Sequence, residues 1–281
     1  MITTRGKSKQ PYPVDPTIRN HPIDPALMEE VTQEQVVDCL KSIGIHADDG
    51  LLTHSAIQFL GRPAGGMGLY LKAILQVIGA HGTLAVPTFN FGFAKGERYD
   101  PMKTPSQRMG AFSEYVRQLP EAGRTTHPMQ SLAVVGRFRD DLISRDTPSA
   151  FDPGSPFERM LELDFKLLLL GADISASSIF HYSEHQNEVP YRYWKDFSGE
   201  VRTQHGWETR TYRMFVRDLE IDPILTAVPV EELLKERRQW RSTPLNYGLI
   251  STCSLRDFVA AVNHFLSSDP WSLVTNRPDQ L

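Results

Sequence analysis

Cysteine is nearly missing from this chain. Cys39 and Cys253 are the only two in 281 residues, too few for a disulfide framework or a four-thiolate zinc site. A reducing, cytoplasmic setting is therefore expected, with both thiols in or near the core. Long apolar runs are missing as well: no stretch approaches the roughly 20 residues of a membrane span. The N-terminal MITTRGKSKQ carries positive charge with no apolar segment behind it, so neither a membrane partner nor an export signal is expected. Charge of one sign is scarce. The formal net charge is -4, and Lys and Arg are scattered rather than gathered in a run, which argues against nucleic acid as a partner. Nucleotide fingerprints fail too, since there is no G-x-x-x-x-G-K-[ST] and neither glycine cluster yields G-x-G-x-x-G. No G-x-S-x-G elbow supports an α/β-hydrolase.

What remains is a chain with 40% hydrophobic residues, long enough to bury a sizeable core in one enzyme-sized unit. Pro11, Pro13, Pro16, Pro22 and Pro25 stand among polar neighbours, so an extended N-terminal arm is expected over 1–25 and a single domain over 26–281. Thr32 opens a T-x-x-Q capping box, followed by Val36, Val37, Leu40 and Ile43 on one helical face and Gly44 as the stop. Next come GLLTHS (50–55), a glycine-rich turn, MGLYLKAILQVIG (67–79) at helical spacing, and GTLAVPTF (82–89). This is a strand, helix, strand succession whose crossover length favours a parallel pair. The pattern returns at SPFERMLELD, where Ser155 caps, Pro156 takes the first helical position and Glu158 completes the box, ahead of the apolar strand KLLLLG (166–171). A helix should then carry HYSEH (181–185). ETRTYRMFVRD (208–218) alternates as a half-buried antiparallel strand would, while PVEELLKERRQW and SLRDFVAAVNHFL read as helices. The expectation is an α/β chain with a mostly parallel core and an antiparallel addition.

Four polar clusters stand at predicted strand ends or helix mouths, where parallel α/β sheets bind ligands. They are THSAIQFLG (53–61) with GRPAGG, VPTFN (86–90), RTTHPMQS (124–131) and HYSEH. Singly, each has a plain structural explanation: His54 a satisfied histidine at a strand end, Gly65 and Gly66 a tight turn, His127 a loop residue before a proline. HYSEH is open to two readings. As H-x-x-E-H on a helix it would let His181 and His185 hold zinc with Glu184 activating water, and Glu231 or Glu232 would have to supply a third ligand. Alternatively, His181 and Glu184 at i and i+3 share one helix face as a base and its acidic neighbour. RPAGGM (62–67) nearly meets the pyrophosphate loop of the largest acetyltransferase superfamily, but Met67 occupies a position that needs a small residue.

From about Leu51 to about Tyr191 the chain resembles the aminoglycoside 3-N-acetyltransferases, the antibiotic acetyltransferase family. The resemblance is carried by LLTHSAIQFLGRPAGG, GTLAVPTFN, YDPMKTPSQRMGAFSEYVR, GRTTHPMQSLAVVG, GSPFERMLELDFKLLLLG and IFHYSEHQNEVPYR, six blocks in the family's order. It implies an α/β/α sandwich distinct from the common acetyltransferase fold, acetyl-CoA as cosubstrate, no metal, and transfer to an amino group of an aminoglycoside or related amino sugar. Carried over, the family's reactive histidine falls on His181 and its acidic neighbour on Glu184. Its H-S and H-P-x-x-S elements fall on His54 with Ser55 and on His127 with Ser131. The family usually has a second small hydroxyl residue after the H-S pair, and here that position is Ala56.

The chemistry fits such residues. An ammonium has no lone pair to attack a thioester, so a base near neutrality must remove a proton, and an imidazole oriented by a carboxylate suits this. Ser55 and Thr88 are candidate donors to the developing oxyanion. Gly65 and Gly66, leading into a helix, would stabilise the CoA diphosphate, with Arg62 or Arg124 adding charge and with His54, His127 and Ser131 nearby. Glu97, Asp100, Glu188 and Tyr191 are candidates for the amine, although YRYW (191–194) reads at least as well as core packing. A binding protein without turnover, and a homodimer, both stay open.

Overall fold

Lys166–Leu170 holds four leucines in a row, and a strand of that composition is stable only where both of its faces are covered. In the computed structural model, which describes residues 29–278, that strand lies third from one edge of a seven-stranded sheet. The arm expected over 1–25 lies outside the described residues. In chain order the elements are β1 (Glu30–Val31), α1 (Gln33–Ser42), β2 (Gly50–Ser55), β3 (Arg62–Pro63), α2 (Gly68–Ile78) and β4 (Thr83–Pro87). They continue through α3 (Gly110–Arg117), β5 (Gly123–Arg124), β6 (Leu132–Gly136), α4 (Arg139–Ile143), α5 (Pro156–Glu162), β7 (Lys166–Leu170) and α6 (Phe180–Gln186). The last are β8 (Arg192–Thr203), β9 (Gly206–Arg217), α7 (Val228–Glu236), β10 (Arg241–Leu245), β11 (Gly248–Ser254) and α8 (Leu255–Leu266).

The sheet order is β10-β11-β7-β2-β4-β6-β5. Five of the seven strands point the same way, with β11 and β6 reversed. Parallel pairing is confined to β7, β2 and β4, so the carboxyl ends of these three strands form one edge beyond which a site can be built. Alternation along the strands splits the core in two. Leu52, Ala85, Leu167 and Leu169 face α5, α6, α7 and α8, while Leu51, Leu84, Leu168 and Leu170 face α1, α2 and α3. This is the three-layer α/β/α sandwich. The antiparallel addition is the β8–β9 hairpin, a separate two-stranded sheet whose residues Val201 and Tyr212 pack on Phe93, Tyr99 and Met129.

The caps follow the sequence with one difference. Thr32 and Gln35 exchange the reciprocal bonds of a capping box at α1. Ser155 caps α5 by accepting from the Glu158 N–H, but the Glu158 carboxylate turns to the Gly154 N–H at 2.6 Å, because the Ser155 N–H already donates to the Asp152 carbonyl at 3.0 Å. Cys253 is buried in β11 and Cys39 is half-buried in α1, in keeping with the expectation for thiols. No helix among the described residues is long and apolar enough to cross a membrane.

The turn after β7 positions everything that follows. Gly171 sits at φ +69°, and a Cβ there would lie 2.6 Å from the Ala56 carbonyl oxygen. An L side chain meets a left-handed penalty of about 1–2 kcal/mol and, in addition, a backbone clash. Gly171→Ala is expected to lose at least that much stability in urea denaturation, whereas Gly79→Ala, where no atom lies within 4 Å of the added carbon, should lose only the conformational part.

Candidate active site

The chain leaves β7 through Gly171 and turns into α6. Asp173 accepts the Ser175 N–H at 3.0 Å and shapes a single 3-10 turn on the way. Phe180 is buried in the core and anchors the first turn of α6, while His181 stands half-exposed on it. Glu184, one turn on, is completely buried. The Glu184 Oε2 atom lies 2.5 Å from His181 Nδ1 and 2.9 Å from Arg192 Nε, and Arg192 Nη2 lies 3.2 Å from the same imidazole nitrogen. Burial raises the Glu184 carboxyl, but His181 and Arg192 together outweigh it and hold the group below the usual carboxylate range. An ionised carboxylate only accepts, so the proton is assigned to Nδ1 and the lone pair of His181 to Nε2. The geometry is that of a base held in one tautomer.

His54 lies beneath this pair. From β2 it faces the α6 side, is 5% exposed, and its Nε2 accepts the Ser178 N–H at 3.2 Å. Burial first, and the neighbouring His181 second, push its pKa down to about 4. His54 therefore holds the turn before α6 rather than a cofactor, a correction to its expected role. His127 is corrected likewise: it is buried, its ring lies 5.0 Å from that of Tyr212, and its Nε2 is 3.3 Å from the Arg213 carbonyl, so it braces the hairpin. Burial lowers its pKa to about 4 against the pull of that carbonyl.

Thr88, Ser131 and Arg124 come together, but inside the protein. Ser131 Oγ donates to the Thr88 carbonyl at 2.8 Å, and Arg124 Nε donates to the hydroxyls of both Thr88 and Ser131 at 3.1 Å. The Arg124 guanidinium also bonds the carbonyls of Thr88 and Thr104 and lies over the Tyr99 ring. With all three of its nitrogens engaged inside the protein, Arg124 fixes the loops after β4 and β5. Thr88, with no exposed surface, is not placed to meet a carbonyl from outside.

Ser55 ends β2 half-buried, and its hydroxyl has no hydrogen-bond partner among the described residues. Gly110 faces it, since a Cβ there would lie 3.8 Å from the Ser55 Oγ. Gly65 and Gly66, at φ +77° and +90°, are open to solvent with no atom within 4 Å of an added Cβ. They approach a cavity of about 460 Å³ at the start of α2, which Gly65, Gly68, Lys72 and Tyr115 help to line. Arg62 is exposed, 3.5 Å from Glu30. Lys72 and Tyr115 were not singled out from the sequence; their signal is only their spacing on α2 and α3.

The four amine-binding candidates are not brought together. Glu97 and Glu188 are exposed on separate loops, and the Asp100 carboxylate accepts the Met102 N–H at 2.9 Å within its own turn. Tyr191 is fully buried against Trp271, with ring centroids 5.2 Å apart, and so belongs to the core rather than to a substrate surface. Arg192, beside it, is the residue the sequence reading missed. A zinc site does not fit the donors: Glu184 is committed to His181 and Arg192, His185 packs edge-on to Trp194 at 4.9 Å, and Glu231 pairs with Lys235 at 2.5 Å. Among the described residues no group of three His, Cys, Asp or Glu side chains is arranged to hold a metal.

The two buried histidines set an acid limit on stability. Each folded pKa is about 4 against an ordinary value near 6.5, so the unfolded chain binds more protons in between. Stability should be full above about pH 6.5 and fall toward pH 4, by roughly 1.4 kcal/mol per pH unit for each histidine. Urea denaturation at several pH values should show this slope, and His127→Asn should reduce it by about half.

Residues 52–267 match the family model described as aminoglycoside 3-N-acetyltransferase. Aminoglycoside N(3)-acetyltransferase IV of Salmonella sp is 28% identical over 250 residues, covering 86% of this chain and 89% of its own. Aminoglycoside N(3)-acetyltransferase III of Salmonella sp is 25% identical over 227 residues, covering 71% and 75%. A solved structure of AAC-IIIb in binary complex with CoASH superposes with a TM-score of 0.75 at 19% identity, over 89% of this chain and 100% of that one. The apoenzyme of AAC(3)-IVa gives 0.73 at 23% identity, over 90% and 94%. At such identities the structures speak for the fold, while the family model covers well over half of the sequence, and on that ground the chain belongs to the aminoglycoside 3-N-acetyltransferase family.

Proposed function

We propose that this protein transfers an acetyl group from acetyl-CoA to an amino group of an aminoglycoside or related amino sugar, with His181 as general base. The observation that carries the reading is the His181–Glu184 contact of 2.5 Å, which leaves Nε2 of a half-exposed imidazole with its lone pair. Acetyl-CoA supplies the acetyl group as a thioester. His181 takes a proton from the incoming ammonium at Nε2, freeing the nitrogen lone pair for attack on the thioester carbon; the C–S bond breaks as the C–N bond is completed, and CoA leaves as the thiol with the proton that the nitrogen sheds on becoming an amide. The buried Glu184 carboxylate stabilises the imidazolium that results, and Arg192 keeps that carboxylate ionised between turnovers. The Ser55 hydroxyl, free at the end of β2, is the side-chain donor best suited to a developing oxyanion. The open Gly65–Gly66 turn, with Lys72 and Arg62 beside it, supports binding of the CoA phosphates at the start of α2. Ala56 carries no hydroxyl, so Ser55 has no side-chain helper at the next position.

Removing a general base costs about 10²–10⁴ in rate. His181→Ala is expected to lower kcat by that range, read as free thiol released from acetyl-CoA, with the affinity for CoA changed by no more than a few-fold. Glu184→Gln keeps the shape but loses the charge, and should lower kcat less than His181→Ala does. Thiol release that persists undiminished in His181→Ala would remove the histidine from the mechanism, and loss of activity to a chelator would revive the metal reading.

A further inference from the structure

Apart from Arg192, the β8–β9 hairpin beside His181 is left unused by the catalytic reading, and its chemistry is unlike that of a polycation binder. Between Arg192 and Arg217 there are six Lys and Arg residues against three Asp and Glu, in a chain whose overall charge is negative. Each of the three carboxylates already has a cation near it: Asp196 lies 3.0 Å from Arg213, Glu208 lies 2.8 Å from Arg210, and Glu200 lies 4.0 Å from Arg98. Lys195 and Arg202 have no carboxylate partner among the described residues and lie over the rings of Phe197 and Trp207 instead. The hairpin thus offers an ammonium no free carboxylate.

Its base adjoins the His181 ring. Arg192 touches His181 directly, and His185, one helical turn beyond His181 on the same face of α6, packs against Trp194. Trp194 keeps 39% of its surface exposed, and the guanidinium of Arg213 lies 5.5 Å above its ring. A ring with a cation beside it is a platform for a sugar that bears an anion. The pairing of Arg213 with Asp196 is a solvent-exposed one, worth little, and Nη1 of the guanidinium makes no hydrogen bond among the described residues. The carboxylate of Glu188 is exposed as well, but it lies beyond the far end of α6.

Resting on the acyl-transfer reading above, we propose that Trp194 and Arg213 form the acceptor platform and that the acceptor is an amino sugar carrying an acidic group, rather than a polyamine. The amine would reach His181 while its phosphate or carboxylate is held by Arg213 in the positive field of the hairpin.

Calorimetric titration in the presence of CoA, with glucosamine 6-phosphate and sisomicin as probes, tests this without relying on turnover. Glucosamine 6-phosphate should bind at least about tenfold more tightly than sisomicin, and its advantage should shrink as salt rises. Arg213→Glu, an exposed substitution whose folding is checked by circular dichroism, should erase the preference, and Trp194→Ala should weaken the sugar phosphate while leaving CoA binding as it was. Equal or tighter binding of sisomicin, no binding of either amine, or a preference that survives Arg213→Glu would each overturn the proposal. Binding that depends on Arg213 but yields no thiol release would count against acyl transfer while leaving the platform in place.

Discussion

A carboxylate with no exposed surface is the constraint around which this site is built. Burying the charge of Glu184 costs several kcal/mol after relaxation, and the charge survives only where donors meet it at close range. Here they come from two directions. His181 approaches from the previous turn of the same helix, and Arg192 reaches in from the first residue of β8. The consequences spread outward from that meeting. The short helix α6 is tied to the hairpin, the imidazole is held in one orientation, and the tautomer is chosen by an acceptor that cannot donate. Removing either donor would leave the carboxylate partly uncompensated, which is why the three groups act as a unit.

Three histidines near this edge of the sheet show how environment, rather than residue type, assigns a role. His54 and His127 are 5% exposed each and are held neutral by burial, one beneath the turn before α6 and the other beneath the hairpin. His181 alone is half-exposed and has a carboxylate behind it. The two neighbouring rings are felt at His54, where His181 adds to burial in lowering the pKa. The same residue type thus serves as a neutral brace where it is buried and stands against a carboxylate where it is half-exposed.

Much of the frame was legible in the sequence because local rules and global packing agree. The box at Thr32, the parallel pairing of Gly50–Ser55 with Thr83–Pro87, and the run of leucines in β7 all fell where periodicity and capping put them. The pairing of His181 with Glu184 was legible as well, since i and i+3 fix adjacency within a helix. What failed did so for a shared reason. Strand β8 has no clean alternation, because near Trp194 one face of the hairpin meets α6 while near Val201 the other face meets Phe93 and Tyr99. The motif of His127 and Ser131 signalled polar residues near a strand end, but not that they would point inward. Arg124 could not be told from a surface arginine until its donors were counted against the carbonyls of Thr88 and Thr104. Burial of polar groups is decided by partners distant in sequence, and no local pattern reports it.

The same division sets which parts of the fold are constrained by packing and which are not. His181 and Glu184 belong to a helix packed on the main sheet, where Phe180 and Glu184 are buried and tolerate little change. The hairpin forms its own two-stranded sheet, holding its outer part on a small separate cluster of Phe93, Tyr99, Met129, Val201 and Tyr212. Its solvent-facing charges make few demands on folding, since exposed pairs such as Asp196 with Arg213 contribute little stability. Charge on that surface is therefore free to change while the site behind it stays intact. Arg192 is the one residue that cannot follow, because its side chain leaves the hairpin to neutralise Glu184.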